Sequence, residues 1–191
     1  MGREFELKYR ADDTVLGALA AEYGPFITIS METTYYDTPG RELSKRHWTL
    51  RRRFENGISV CTVKTPDERG GRGEWEVRCN DIEAAIPLLV AQGAPLTLVG
   101  LTASGVRESC AARFTRLAAL LEAENCTVEL ALDKGTLLGG GKEQPFAEVE
   151  VELKSGSEAA AIRFAEALAK KYRLTREMQS KIQRALALAN P

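Results

Sequence analysis

The sequence contains one histidine, His47, and four cysteines, Cys61, Cys79, Cys110 and Cys126, with no two at CxxC spacing. A single imidazole leaves no basis for a histidine-rich zinc site or for Ser-His-Asp catalysis. Scattered thiols in a chain of 191 residues read as reduced core residues, not as a disulfide framework. No apolar run approaches the ~20 residues of a membrane helix; the longest lie around Ala84–Ala91 and Leu117–Leu121. The start, Met-Gly-Arg-Glu-Phe-Glu, is too acidic and polar for a signal peptide, and Glu6 stands where a myristoylation signal needs Ser or Thr. No membrane partner is expected, and the cytoplasm is the expected location. An excess of one charge sign is also missing. Twenty-six Lys and Arg face 27 Asp and Glu, a net charge of −1, which argues against a basic nucleic-acid-binding coat. No internal repeat or low-complexity tract is present.

What remains is 44% hydrophobic and 28% charged, the composition of a globular protein. The length suits a single domain over 1–191. Residues 3–10 alternate sharply, with Phe5, Leu7 and Tyr9 opposite Glu4, Glu6, Lys8 and Arg10. Asp12 or Asp13 can cap a helix to Tyr23, which Gly24-Pro25 stops. Strands are expected at 28–37, 48–55, 58–65 and 74–79, with Asn56-Gly57 as a hairpin turn and a polar, glycine-rich loop at 67–73. A helix is expected over 82–92 despite Pro87. Residues 93–112 give no readable pattern. Strands resume at 114–122, 126–134 and 146–154, with Gly139-Gly140-Gly141 as a loop. Helices at 159–172, after a capping-box-like Ser157 segment, and at 177–188 end the chain. The eight strands are enough to close a barrel.

The informative feature is parity. Alternate strand residues share a face, which groups Glu74, Glu76 and Arg78 against Trp75, Val77 and Cys79. It likewise groups Glu148, Glu150, Glu152 and Lys154 against Val149, Val151 and Leu153. Arg51 pairs with Arg53, Thr62 with Lys64, and Glu129 with Asp133. On one strand such a face is an ordinary solvated sheet surface. Glutamate is depleted in strands, and three strands that each carry several carboxylates suit a charged concavity better. Its apolar side would then lie under the helices. Low-dielectric walls would strengthen every interaction inside it.

Carboxylates without histidine or paired cysteine select hard cations. Arg and Lys on facing strands supply donors for phosphate oxygens. Together these groups point to phosphoryl chemistry on a mononucleotide or polyphosphate. Other motifs carry less. Gly135–Lys142 lacks phosphate-loop spacing, and Glu143 follows Lys142. Arg69–Gly73 is one short RGG-like copy in a loop. His47 reads as surface, Trp48 and Trp75 as core or rim. Arg176, Lys181 and Arg184, taken alone, read as a solvated helix face.

Glu4-Phe5-Glu6-Leu7-Lys8 completes an ordered set of landmarks: Tyr35-Tyr36-Asp37-Thr38-Pro39, Leu50-Arg51-Arg52-Arg53, Thr62-Val63-Lys64, Arg72-Gly73-Glu74, Leu132-Asp133-Lys134-Gly135, Glu148–Leu153 and Ser180-Lys181. The set resembles the CYTH superfamily, the triphosphate tunnel metalloenzymes, over nearly the whole chain. The resemblance implies an α+β fold, a closed eight-stranded antiparallel β-barrel with a charged interior and helices packed on the outside. It implies a small-molecule triphosphate substrate and Mg²⁺ or Mn²⁺. By position, Glu4, Glu6, Glu148 and Glu150 would hold the metal. Lys8, Arg51, Arg53, Lys64, Arg72, Arg116 and Lys181 would bind phosphate, with Arg116 preferred to Arg113 on register. Glu148, Glu150 or Glu152 would assist water deprotonation, with Lys8 beside them. Glu74, Glu76 and Asp133 would be further tunnel residues. Lys181 thus leaves the solvated face assigned to it above.

The Tyr35–Pro39 segment looks like the bacterial triphosphatase branch, although Thr33 stands where that branch often has Asn. Inorganic triphosphate is the expected substrate and hydrolysis the expected reaction. Alternatives are a class IV-type adenylate cyclase, a thiamine triphosphatase, or a non-catalytic polyphosphate- or nucleotide-binding module. No nucleic-acid partner is expected, and monomer and homodimer both stay open.

Overall fold

The computed structural model describes residues 5–66 and 72–189, with Arg72 described by its backbone alone. In chain order the elements are β1 (Glu6–Arg10), α1 (Asp13–Tyr23), β2 (Ile27–Asp37), α2 (Glu42–Lys45), β3 (Thr49–Glu55), β4 (Ile58–Pro66), β5 (Arg72–Arg78), α3 (Ile82–Ala91), α4 (Thr97–Leu101), β6 (Arg107–Ala123), β7 (Cys126–Gly139), β8 (Lys142–Gly156), α5 (Glu158–Tyr172), β9 (Thr175–Arg176) and α6 (Lys181–Ala189).

Local chemistry accounts for the boundaries. Asp12 accepts from the Val15 amide at 2.9 Å and caps α1, and Asp81 accepts from the Ala84 amide at 2.7 Å and caps α3. Asn56 and Gly57 both adopt positive φ, as a tight β3–β4 hairpin requires. Gly140 and Gly141 do the same between β7 and β8.

The strands form one antiparallel sheet in the order β5-β4-β3-β2-β6-β7-β8-β1-β9. The expected barrel is therefore corrected: the sheet has nine strands, not eight, and it is not closed. The physical reason lies at β1. Its outer edge pairs with the two-residue β9, Tyr9 opposite Arg176 and Arg10 opposite Thr175. The Glu177 amide then donates to the Lys8 carbonyl at 2.9 Å. The C-terminal segment thus takes the backbone groups that β5 would need for closure.

The two faces of the sheet differ as the parity pattern requires. Tyr9, Val128, Leu130, Leu132, Val149 and Val151 pack with Leu16 and Leu19 of α1 and Ala161, Ala165 and Leu168 of α5. Leu50, Cys61 and Val63 pack with Leu43 of α2, Ile82 and Leu89 of α3 and Leu98 of α4. Burial of each Val, Leu or Ile among them contributes ~1.5–3 kcal/mol.

One helix departs from the expected arrangement. Helix α6 lies on the charged side, where Ala185, Ile182, Leu186 and Leu188 meet Met31, Tyr35, Phe114, Leu137 and Phe146. The approach is close: a Cβ on Gly139 would sit 2.0 Å from the Ala185 carbonyl oxygen. So the helices are not all outside. Among the described residues, no helix is long and apolar enough to cross a membrane.

Candidate active site

Alternation brings Glu6 and Lys8 of β1, Arg51 and Arg53 of β3, Lys64 of β4, Arg116 of β6, and Glu150 and Glu152 of β8 to one cavity of about 170 Å³. Tyr35, Thr49 and the start of α6, Ser180 to Ile182, complete its lining. Six cationic side chains face three carboxylates there. Register explains the placement. Glu6 stands opposite Glu152 and Lys8 opposite Glu150 on paired strands, while Arg51 stands opposite Thr62 and Thr49 opposite Lys64.

The cations are held by partners around the cavity. Lys64 lies 3.1 Å and Arg51 3.6 Å from Glu74, and Arg51 lies 3.8 Å from Glu76. Glu76 also accepts from the Thr62 hydroxyl at 3.0 Å. Arg53 donates through Nε to the buried Thr33 hydroxyl at 3.1 Å. Burial, and then the like charge of Arg51, pull the Arg53 pKa below its ordinary value. Lys8 lies 3.3 Å from Glu6.

Behind the cavity sits a buried ionic cluster. Arg116 forks onto Asp133, Nε to Oδ1 and Nη2 to Oδ2, both at 2.8 Å, and its Nη2 also bonds Glu150. The register that sets Arg116 opposite Asp133 makes this pairing local to the β6–β7 ladder, while Arg113 is exposed. Lys181 Nζ lies 2.8 Å from both Asp133 Oδ2 and Glu150 Oε1, and in contact with Glu148. Arg184 bonds Glu148 on the other side. Burial would raise the Glu150 pKa, but Lys181 and Arg116 hold it well below the usual carboxylate range. Burial pushes Glu148 up, with the Glu150 charge adding to it, against the pull of Lys181 and Arg184.

The donors fit a hard divalent cation. Asp133, Glu148 and Glu150 each offer a carboxylate oxygen, all within 4.8 Å of one another. Glu148 Oε1, fully buried, touches Lys181 but finds no well-directed hydrogen bond.

A CYTH domain family model matches residues 2–186.

The chain belongs to the CYTH family.

An inorganic triphosphatase from Haemophilus influenzae is 31% identical over 137 residues, 71% of this chain. The match spans only 39% of that protein's length. A solved Pyrococcus horikoshii structure, the PH1819 protein, is 25% identical with a TM-score of 0.61, covering 97% of this chain and 99% of its own. An adenylyl cyclase candidate from Hippeastrum, described as having a dominant triphosphatase activity, shares the fold at 16% identity and a TM-score of 0.69. That alignment covers 97% of this chain and 96% of the other.

On this CYTH scaffold the expected site residues divide into groups. Glu6, Lys8, Arg51, Arg53, Lys64, Arg116, Glu150, Glu152 and Lys181 share the cavity. Glu148 and Asp133 do not line it; both are fully buried behind it. Glu74 braces Lys64 and Arg51, and Glu76 stands half-exposed beside them. Glu4 and the Arg72 side chain lie outside the described residues.

Sequence reasoning missed Arg184 and Glu177. Arg184 was expected on a solvated face, yet it reaches Glu148 and lies 3.9 Å from buried Glu177, which Arg10 binds at 2.7 Å. The signal was the helical spacing of Lys181, Arg184, Ala185 and Leu188, which puts charge and apolar groups on one face. Only Arg176 of that expected surface set faces outward, over the Tyr9 ring at 5.1 Å.

Proposed function

We propose that the protein is a metal-dependent triphosphatase, with inorganic triphosphate as its leading substrate, cleaved to pyrophosphate and orthophosphate. The observation that carries this reading is the convergence of six cations from four strands and a helix on one small cavity that also presents carboxylates. The similarity to the Haemophilus influenzae inorganic triphosphatase supports it. The volume, about 170 Å³, is below the ~300–1,000 Å³ of sites for drug-sized ligands, which favours a compact inorganic chain over a nucleotide.

Lys8, Arg51, Arg53, Lys64, Arg116 and Lys181 bind the phosphate oxygens and neutralise charge that develops on the leaving pyrophosphate. Glu74 braces Lys64 and Arg51, Thr33 braces Arg53 and Asp133 braces Arg116, so little reorganisation of these four accompanies reaction. Asp133, Glu148 and Glu150, with Glu6 on the cavity side, would hold Mg²⁺ or Mn²⁺, which when bound supplies Lewis-acid polarisation of a phosphoryl oxygen. Glu152, which lines the cavity opposite Glu6, would accept a proton from the attacking water.

The test is product analysis of purified protein given inorganic triphosphate, ATP or thiamine triphosphate with Mg²⁺ or Mn²⁺. Orthophosphate release, fastest from inorganic triphosphate, supports the proposal. Cyclic AMP and pyrophosphate from ATP would assign a cyclase instead, and binding without turnover would assign a polyphosphate-binding module.

A further inference from the structure

We propose that Lys181 is the resident cation of the Asp133–Glu148–Glu150 cluster, and that it yields those carboxylates to a divalent ion and turns its ammonium into the phosphate cavity. The inference rests on the metal requirement proposed above and adds how the site is loaded.

The ammonium already occupies the cation position. Its Nζ lies 2.8 Å from Asp133 and 2.8 Å from Glu150, touches Glu148, and sits over the Phe114 ring at 4.9 Å. The charges around it balance: three carboxylates meet Lys181, Arg116 and Arg184. A divalent ion added with all three cations in place would leave two uncompensated positive charges in a buried cluster, which is strongly unfavourable. Release of one cation halves that excess.

Geometry selects which one. Arg116 is forked onto Asp133, and Arg184 spans Glu148 and Glu177, each through a planar guanidinium that meets its partners at separate nitrogens, whereas Lys181 meets all three carboxylates through the single atom Nζ. Lys181 is a point charge on a flexible stem, and it already borders the cavity. A rotamer change carries it there while α6 stays docked through Ile182 and Ala185. The exchange uses each charge twice: the carboxylates never lose a counter-ion, and phosphate gains a sixth clamp when the metal is bound. By linkage, weakening the lysine's hold must strengthen metal binding by the same factor.

The test uses the full chain and Mn²⁺ alone, without substrate. Free Mn²⁺ is titrated by electron paramagnetic resonance for the unaltered protein and for Lys181→Met. The expected result is at least tenfold tighter Mn²⁺ binding in the variant. In the unaltered protein, acetic anhydride labelling read by peptide mass spectrometry should rise several-fold at Lys181 on adding Mn²⁺, and stay constant at exposed Lys171. Equal Mn²⁺ affinity in a folded variant, no Mn²⁺ binding by either protein, or labelling at Lys181 that Mn²⁺ leaves unchanged overturns the proposal. If Lys181→Met fails to fold by circular dichroism, the labelling decides alone. No substrate enters either readout, so a failed hydrolysis assay refutes the triphosphatase reading and leaves this result standing on its own.

Discussion

Lys181, on the helix that ends the described chain, donates to Glu150 on β8 at 2.8 Å, across 31 residues of sequence. The bond joins the cavity to the buried ionic cluster, because both residues line the first and belong to the second. Truncating Glu150 to alanine would leave Lys181 and Arg116 short of a partner in a buried site, at a cost of about 3–5 kcal/mol. Glu150→Gln keeps the shape and one of the two acceptor oxygens that Lys181 and Arg116 use. It is expected to retain the circular dichroism of the parent while metal-dependent phosphate release falls by roughly 100-fold, on the scale of losing one charge-stabilising group. Activity within a few-fold of the parent would remove Glu150 from the site.

Thr33 gives a milder test. Its buried hydroxyl accepts from Arg53 Nε, fixing a guanidinium that burial and Arg51 both disfavour. Thr33→Val should raise KM for triphosphate about fivefold, with kcat and Tm little changed, for the loss of about 1 kcal/mol of hydrogen bonding. Thr33→Ser should restore KM. Steady-state kinetics on the three proteins distinguish positioning from a general packing defect, which would lower Tm in both variants.

Docking of α6 depends on Gly139. Its added Cβ would meet the Ala185 carbonyl oxygen at 2.0 Å, a backbone atom that can retreat only if the helix moves. Gly139→Ala is therefore expected to loosen α6 and open the bonds after Lys181 and Arg184 to trypsin. Limited proteolysis followed by mass spectrometry checks this, and unchanged protection would show that the helix is held by other contacts.

The thiols should be quiet. Burial pushes both Cys61 and Cys110 up to about 11, so at pH 8 only about one in a thousand of either is thiolate, the reactive form. Ellman's reagent should titrate Cys79, which is partly exposed, well before the buried Cys61, Cys110 and Cys126, and all four after denaturation. Rapid reaction of three or four thiols in the native protein would contradict the burial of these side chains.

Much of the sheet was legible because strand parity is a two-residue signal. Glu6 and Lys8 alternate with Leu7 and Tyr9, and Glu150 and Glu152 with Val149 and Val151, so the charged face could be drawn before any pairing was known. Where that signal breaks, reading failed. Residues 107–112, the part of the unreadable stretch that forms strand, looked patternless because β6 carries a bulge: Tyr35 pairs with Cys110 but Tyr36 with Glu108, so Ser109 is skipped and the parity flips. Closure could not be judged from parity, since it depends on which chain segment takes the edge of β1. That segment is Thr175–Arg176, too short to leave a strand signal.

The burial of Arg184 was hidden for a related reason. Charges on a terminal helix ordinarily face water, and their buried partners Glu148 and Glu177 are distant from them in pairing terms even where near in sequence. Lys8, Arg51, Arg53 and Lys64 were legible because each sits on a strand whose alternation marks a charged face, whereas Arg116 and Lys181 were reached through the family resemblance. The bracing roles of Thr33 and Glu74 needed three-dimensional distances.

The central claim is that this cavity hydrolyses a triphosphate with the help of a divalent ion. Orthophosphate release from inorganic triphosphate, followed while Mg²⁺ or Mn²⁺ is titrated into metal-stripped protein, tests it most directly. No release is expected in EDTA, and a saturable rise with added metal that Glu150→Gln lowers by roughly 100-fold. Release that is indifferent to EDTA, or none at any metal concentration, would contradict it.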